Sequence, residues 1–212
     1  MKKFELTENS KMFYGKKLYR IKALVSFGDV KEGELGGWVE KEENLSQFDN
    51  ARVYGDACVT DNAWVYGNAW VYGNALVYGD ARVYGDACVT DNARVYGNAL
   101  VYGNARVYGD ARVYGNACVT GDARVYGNAD YFVIGPMGSR CAYTTFYRRA
   151  DGKTMVVCGC FHDTLIRFGK RVAKVHGDNQ HGKAYMAAIE FVRKVINTKA
   201  VSKGEEGDEK WQ

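Results

Sequence analysis

From Asn50 to Gly127 this sequence contains no histidine, serine, lysine or glutamate. That stretch is over a third of the chain, and it lacks the side chains most often used as general bases or nucleophiles. The 212 residues include a single proline, and no apolar run approaches the eighteen or so residues that a membrane-spanning helix needs. The first residues, MKKFELTENSK, carry charge and no apolar segment, so a secretory signal is not expected. Six cysteines are present, but Cys58, Cys88 and Cys118 fall in the same slot of repeated phrases. That placement reads as duplication, and free thiols in a reducing cytoplasm are the expectation.

What fills the gap is one six-residue phrase. Residues 74–91, NALVYGDARVYGDACVTD, state it three times, and it runs through thirteen unbroken hexads from Asn50 to Gly127, with a fourteenth starting at Asn128. Ala and Val stand two apart in each hexad, so in an extended strand both point to one face, while the residue between them and the following Tyr point to the other. Gly followed by Asn or Asp then turns the chain, because Gly takes positive φ at little cost and Asn or Asp tolerates it better than most. A helix cannot hold a Gly every six residues among Val and Tyr. A short strand and a corner per hexad, three hexads per turn, give a three-sided solenoid with eighteen residues per coil and a thin Ala/Val core.

The phrase A-x-V-Y-G-[ND] resembles the hexapeptide repeat of left-handed parallel β-helix proteins, with Tyr where that repeat usually has Gly or a charged residue. The flanks GELGGWVEKEENLSQ (33–47) and VVCGCFHDTL (156–165) resemble those of phage- and prophage-borne hexapeptide-repeat proteins often labelled acyltransferases. The resemblance implies a mainly β fold, a left-handed parallel β-helix, and a phage or prophage setting. Acyltransferases of that repeat family typically place a catalytic His on or near the coils. None stands there in this chain.

Eighteen residues per coil stacks side chains in columns. Tyr78, Tyr96 and Tyr114 form one, Tyr66, Tyr84 and Tyr102 another, Arg94 lies over Arg112, and Arg106 over Arg124. No two corner Asp residues fall eighteen apart, which avoids like-charge stacks. Residues 56–85 recur almost verbatim at 86–115. Thirty is not a multiple of eighteen, so each copy is rotated to another side, which argues against one face tuned as an active site. The expected organisation is an N-terminal cap (1–49), the solenoid (50–133), a C-terminal module of two strands and two helices (134–198), and a polar tail (199–212). In the module, DTLIRFGKRVAKV is expected to start at an Asp163 N-cap and bury Leu165, Phe168, Val172 and Val175. A second helix is expected to bury Tyr185, Ile189, Val192 and Ile196.

Charge is uneven. Residues 131–203 hold thirteen basic against four acidic residues, whereas the cap is balanced and the hexads nearly so. Arg167, Lys170, Arg171 and Lys174 sit at i, i+3, i+4 and i+7 on one helix face, and Arg148, Arg149 and Lys153 flank the preceding hairpin turn. Such a patch suits phosphates or an acidic protein, and equally a solvated helix face. Cys158, Cys160 and His162 are expected on one strand face, with His176 and His181 in a loop, but the spacing matches no common zinc signature, and no metal or cofactor is expected. Cys160 beside His162 lacks an orienting partner for nucleophilic work.

By elimination, the expectation is a non-catalytic binding protein of phage or prophage origin in the cytoplasm of a bacterial host cell. It would dock on a host protein or ribonucleoprotein complex, as an inhibitor of a nuclease or defence complex, through Trp64, Trp70, the Tyr columns and the Arg pairs. No membrane partner is expected, and self-association, with a dimer favoured, is. The alternatives are an acyltransferase-like enzyme and nucleic-acid binding through the basic module.

Overall fold

A computed structural model describes residues 2–196. The charged tail expected from 199 on lies outside those residues. The chain divides into two compact units, one of residues 1–121 with 125–128, the other of 122–124 with 129 onward.

In the first unit, β1 (Phe4–Phe13), β2 (Lys16–Ala23) and β3 (Leu35–Val39) lead into a ladder of two-residue strands. These run from β4 (Arg52–Val53) to β16 (Arg124–Val125), of which only Val125 belongs to the first unit, each made of the variable residue and Val of one hexad. Up to the last turn, each strand pairs in parallel with the hexad eighteen residues on, as Trp64 with Arg82, Arg82 with Leu100, and Leu100 with Cys118. The three resulting sheets are the three walls expected from the repeat. The rungs are tied by backbone bonds such as Arg52 N to the Ala69 carbonyl and Tyr54 N to the Val71 carbonyl, both 2.9 Å. Ala and Val of every hexad from Ala51 to Val119 are fully buried, while the Tyr residues stay on the outside.

The corners explain the letters chosen for them. Gly67 has φ +71, and a Cβ there would lie 2.9 Å from the Gly85 backbone nitrogen, so both conformation and clearance select Gly. Asp61 and Asp91 replace Gly at two corners with φ +59 and +58. Each carboxylate accepts from the backbone amide one rung on, Gly79 N at 3.2 Å and Gly109 N at 2.8 Å, which compensates the strained conformation. At the next position Asn donates its side-chain amide to the residue above: Asn62 to Asp80, Asn68 to Asp86 and Asn92 to Asp110. An Asp therefore sits over a donor and not over another carboxylate.

The cap joins the wall directly, since β3 is antiparallel to β2 and parallel to the Cys58 strand. Leu18, Trp38 and Cys58 pack together beneath Phe13 and Leu76. Lys3, only 4% exposed, donates to the carbonyls of Asp49 and Ala51, while the Gln47 side chain bonds Lys3 N and Phe4 O.

The second unit corrects the expected two-strand, two-helix module. It holds a four-stranded antiparallel sheet of β17 (Tyr131–Met137), β18 (Ala142–Arg148), β19 (Thr154–Cys158) and β20 (Phe161–Thr164), followed by α1 (Leu165–His176) and α2 (Gln180–Val195). The boundary expected at 133/134 falls inside β17, whose Tyr131 and Phe132 pair with Tyr147 and Phe146 in place of continuing the coil. Thr164, not Asp163, caps α1 by accepting from Arg167 N. Asp163 still serves that end of the helix, through an ion pair with Arg167. The core joins Phe146 and Val156 to Leu165, Phe168 and Val172 of α1 and Tyr185, Ile189, Val192 and Ile196 around α2. Val175, expected inside, is 54% exposed, because it follows the last buried turn.

Candidate binding surface

The first unit carries an open groove of about 510 Å3 where the cap's last turn meets the first full coils. One wall is the 3-10 turn Glu42–Asn44. Asn44 fixes it by accepting from Lys41 N and donating to the carbonyls of Asp61 and Ala63, and Lys41 Nζ reaches the Asn62 side chain. Leu45 and Ala63 line the groove, Trp64 and Arg82 form the other wall, and Phe48 stands at the rim.

Two aromatic side chains are left in water there. Phe48 is 99% exposed although its backbone is ordered by a bond to Ser46 Oγ, and Trp64 is 41% exposed. Burying a side chain of that size is worth ~1.5–3 kcal/mol, which the isolated chain forgoes. The Trp64 ring stacks on Tyr66 at 4.1 Å, and Tyr66, Tyr84 and Tyr102 continue at 4.7 and 4.8 Å with nearly parallel planes. Arg82 is exposed and acts on the phenols of both Tyr66 and Tyr84. Burial pushes their pKa values up and its positive charge opposes that shift.

A second wall carries the other expected column, Tyr78, Tyr96 and Tyr114, at 4.8 and 5.2 Å, beside Arg94 paired in register with Arg112. The third wall is less open. Arg52 lies over the Trp70 ring at 3.4 Å from its centroid and binds Asp29, so Trp70 is held within the fold and is less available for display. Arg106 is exposed and belongs to the first unit, while Arg124 falls in the second, where it donates to its own neighbour's Ala123 carbonyl.

The Cys–Thr hexads break the Tyr columns in an ordered way. Tyr102 on the rung before Cys118 and Thr120 hydrogen-bonds the Cys118 thiol, and Tyr72 leans likewise toward Cys88 and Thr90. Burial, reinforced by the neighbouring thiol, drives both phenols up to about 12. Cys58, Cys88 and Cys118 form no disulfide among the described residues and stand one on each wall.

In the second unit the expected basic patch is only partly available. Arg148 is buried in an ion pair with buried Asp130 at 3.2 Å, which removes it from any surface site. Its strand position in β18 points it inward, where a charge is kept only with a partner. Arg149 and Lys153 both converge on Asp151, whose carboxyl is held far below its ordinary range mainly by the Arg149 bond. Arg167 is paired with Asp163, leaving Lys170, Arg171 and Lys174 exposed on α1.

The metal-ligand candidates are not brought together. β19 ends at Cys158, Cys160 lies in the turn, and His162 is on the return strand opposite Val157, so these three do not share one strand face. His162 is bonded to the buried Tyr147 hydroxyl at 2.6 Å, and Cys158 contacts Thr144 and Tyr185. His176 and His181 do face each other, with ring centroids 5.9 Å apart. Among the described residues no three His, Cys, Asp or Glu side chains form a metal-binding group. Sequence reasoning reached Trp64 but missed Phe48 and Arg82, since a hexad Arg and a cap Phe carry no mark of a groove.

Among the described residues no helix is long and apolar enough to cross a membrane. Comparison with known proteins agrees with the architecture. A search of curated proteins finds no match. A family model described as YdcK Beta solenoid repeat matches residues 51–67, 69–85, 93–109, 99–113, 105–121 and 111–127, which makes the chain a repeat β-solenoid protein over those coils.

Proposed function

We propose that this chain is a non-catalytic binding protein whose solenoid docks on a macromolecular partner. A host protein or ribonucleoprotein complex in the cytoplasm of a bacterial cell is the partner that its resemblance to phage and prophage proteins suggests, with the chain acting there as an antagonist. The observation that carries the reading is the groove at Phe48, Trp64 and Arg82. There an ordered turn holds one aromatic ring wholly in water, a second half out, and an exposed guanidinium on the rung next to that second ring, beside the stacked Tyr column. Aromatic and Arg side chains of this kind are the groups that interface hot spots favour. Rigidity adds to affinity, because a preformed surface loses little entropy on docking. The coils themselves offer no histidine as a general base for acyl transfer.

Affinity purification from a bacterial lysate with the intact chain and with a Phe48→Ala/Arg82→Glu variant tests this. A stoichiometric partner retained by the first and lost by the second is the expected result. Equal recovery by both, or no stoichiometric partner, overturns it.

A further inference from the structure

α2 has two apolar faces and only one is used. Tyr185, Ala188, Ile189, Val192 and Ile196 at its end are buried in the unit's core. At about 100° per residue, Ala184, Ala187, Phe191 and Val195 fall within a second arc of about 80° on the flank. All four are exposed, Phe191 at 49%. The Phe191 ring rests on Phe132 of the edge strand β17, centroids 5.0 Å apart, and its outer side is open. Along one border of this arc stand Lys183 and Glu190, seven residues apart and both exposed. Neither forms a side-chain ion pair among the described residues.

From this we infer that the α2 flank is a homodimer interface, occupied by α2 of a second copy running antiparallel. The pattern is self-complementary in shape. A twofold axis near Ala187 sets Phe191 of each copy into the space left by Ala184 of the other, a large side chain against a small one. It is also self-complementary in charge. Antiparallel pairing brings Lys183 of each copy beside Glu190 of the other, giving two symmetric opposite-charge pairs. Parallel pairing would put this border of the two copies on opposite sides of the seam, where Lys183 and Glu190 meet neither each other nor their equivalents, so only the antiparallel arrangement joins the opposite charges. One face of a sixteen-residue helix is a small interface, so the dimer is reversible, with a dissociation constant on the order of micromolar.

Sedimentation equilibrium of the full chain from low to high micromolar concentration is the test, with circular dichroism confirming that each variant is folded. Lys183→Glu places two carboxylates together at each of two symmetric positions and weakens dimerisation about tenfold or more. Lys183→Glu with Glu190→Lys restores it to near the original value, and Phe191→Asp abolishes it. A chain that stays monomeric to several hundred micromolar overturns the proposal. So does a dimer indifferent to Phe191→Asp, or a charge-reversed double variant as weak as the single one.

Discussion

At the scale of single residues, the corners show how one letter can carry two roles. Asp80, Asp86 and Asp110 accept from an Asn below, whereas Asp61 and Asp91 take a glycine's place and hold the amide of the next rung. Asp91→Ala keeps the unfavourable φ and loses the acceptor, so it costs about 1–2 kcal/mol in chemical denaturation. Asp91→Gly loses the same bond but relieves the backbone, and is expected to cost less than half as much. Lys3 gives a second expectation at this scale. Burial lowers its pKa to about 8, with Asp49 opposing the shift. Between about pH 8 and 10.5 the unfolded chain binds more protons at this site than the folded one, so the site adds stability as pH rises through that window. Wild type should therefore gain on Lys3→Met across it, by on the order of 3 kcal/mol at most, in urea titrations at several pH values. A gap between the two that is constant from pH 7.5 to 10 would refute the assignment.

At the scale of elements, the Tyr columns do structural work whether or not a partner covers them. Stacked rings across neighbouring strands contribute ~0.5–1.5 kcal/mol per pair beyond area burial. A double-mutant cycle on Tyr66 and Tyr84 with alanine is expected to return a coupling in that range. Alkaline titration adds an independent check. Tyr72 and Tyr102 have phenols raised to about 12, so in the folded chain they remain protonated above pH 10 while an unfolded chain ionises. Their contribution is complete below pH 10 and is lost as pH climbs through 12, and phenolate absorbance near pH 11 should rise sharply on adding denaturant.

Elements also set what the sequence could disclose. The solenoid was legible because a period of six fixes face and register together, and Tyr66, Tyr84 and Tyr102 fall in their column from counting alone. The second unit has no period. Arg148 in an alternating strand looks like surface charge until Asp130 is found beneath it, and β17 looks like a decaying hexad until Phe132 is seen paired with Phe146. The groove was half legible. Trp64 stands out as a large ring in an outward slot, but Phe48 depends on a cap turn whose path Asn44 decides through long-range bonds to Asp61 and Ala63.

At the scale of the whole molecule, the first unit is one-dimensional. Each rung touches only the rungs before and after it, so its stability is close to a sum of rung and interface terms. Removing one full turn should then shorten the unit without breaking it, provided the corner rules survive. Deleting residues 86–103 meets that condition: Asn104 takes the place of Asp86 above Asn68, Asp110 that of Asn92 above Asn74, and Gly109 that of Asp91 above Gly73. It also puts Tyr108 above Tyr72, where Thr90 had broken the column. This variant is expected to be soluble and β-rich, and to unfold cooperatively at a somewhat lower temperature. Deleting Tyr96 alone removes only one residue but shifts every later position by one, turning Ala and Val outward and their neighbours in. It is expected to aggregate or to leave the later coils unfolded, visible as lost amide protection after residue 96. If the one-residue deletion were tolerated as well as the eighteen-residue one, the buried Ala/Val register could not be what holds the coils.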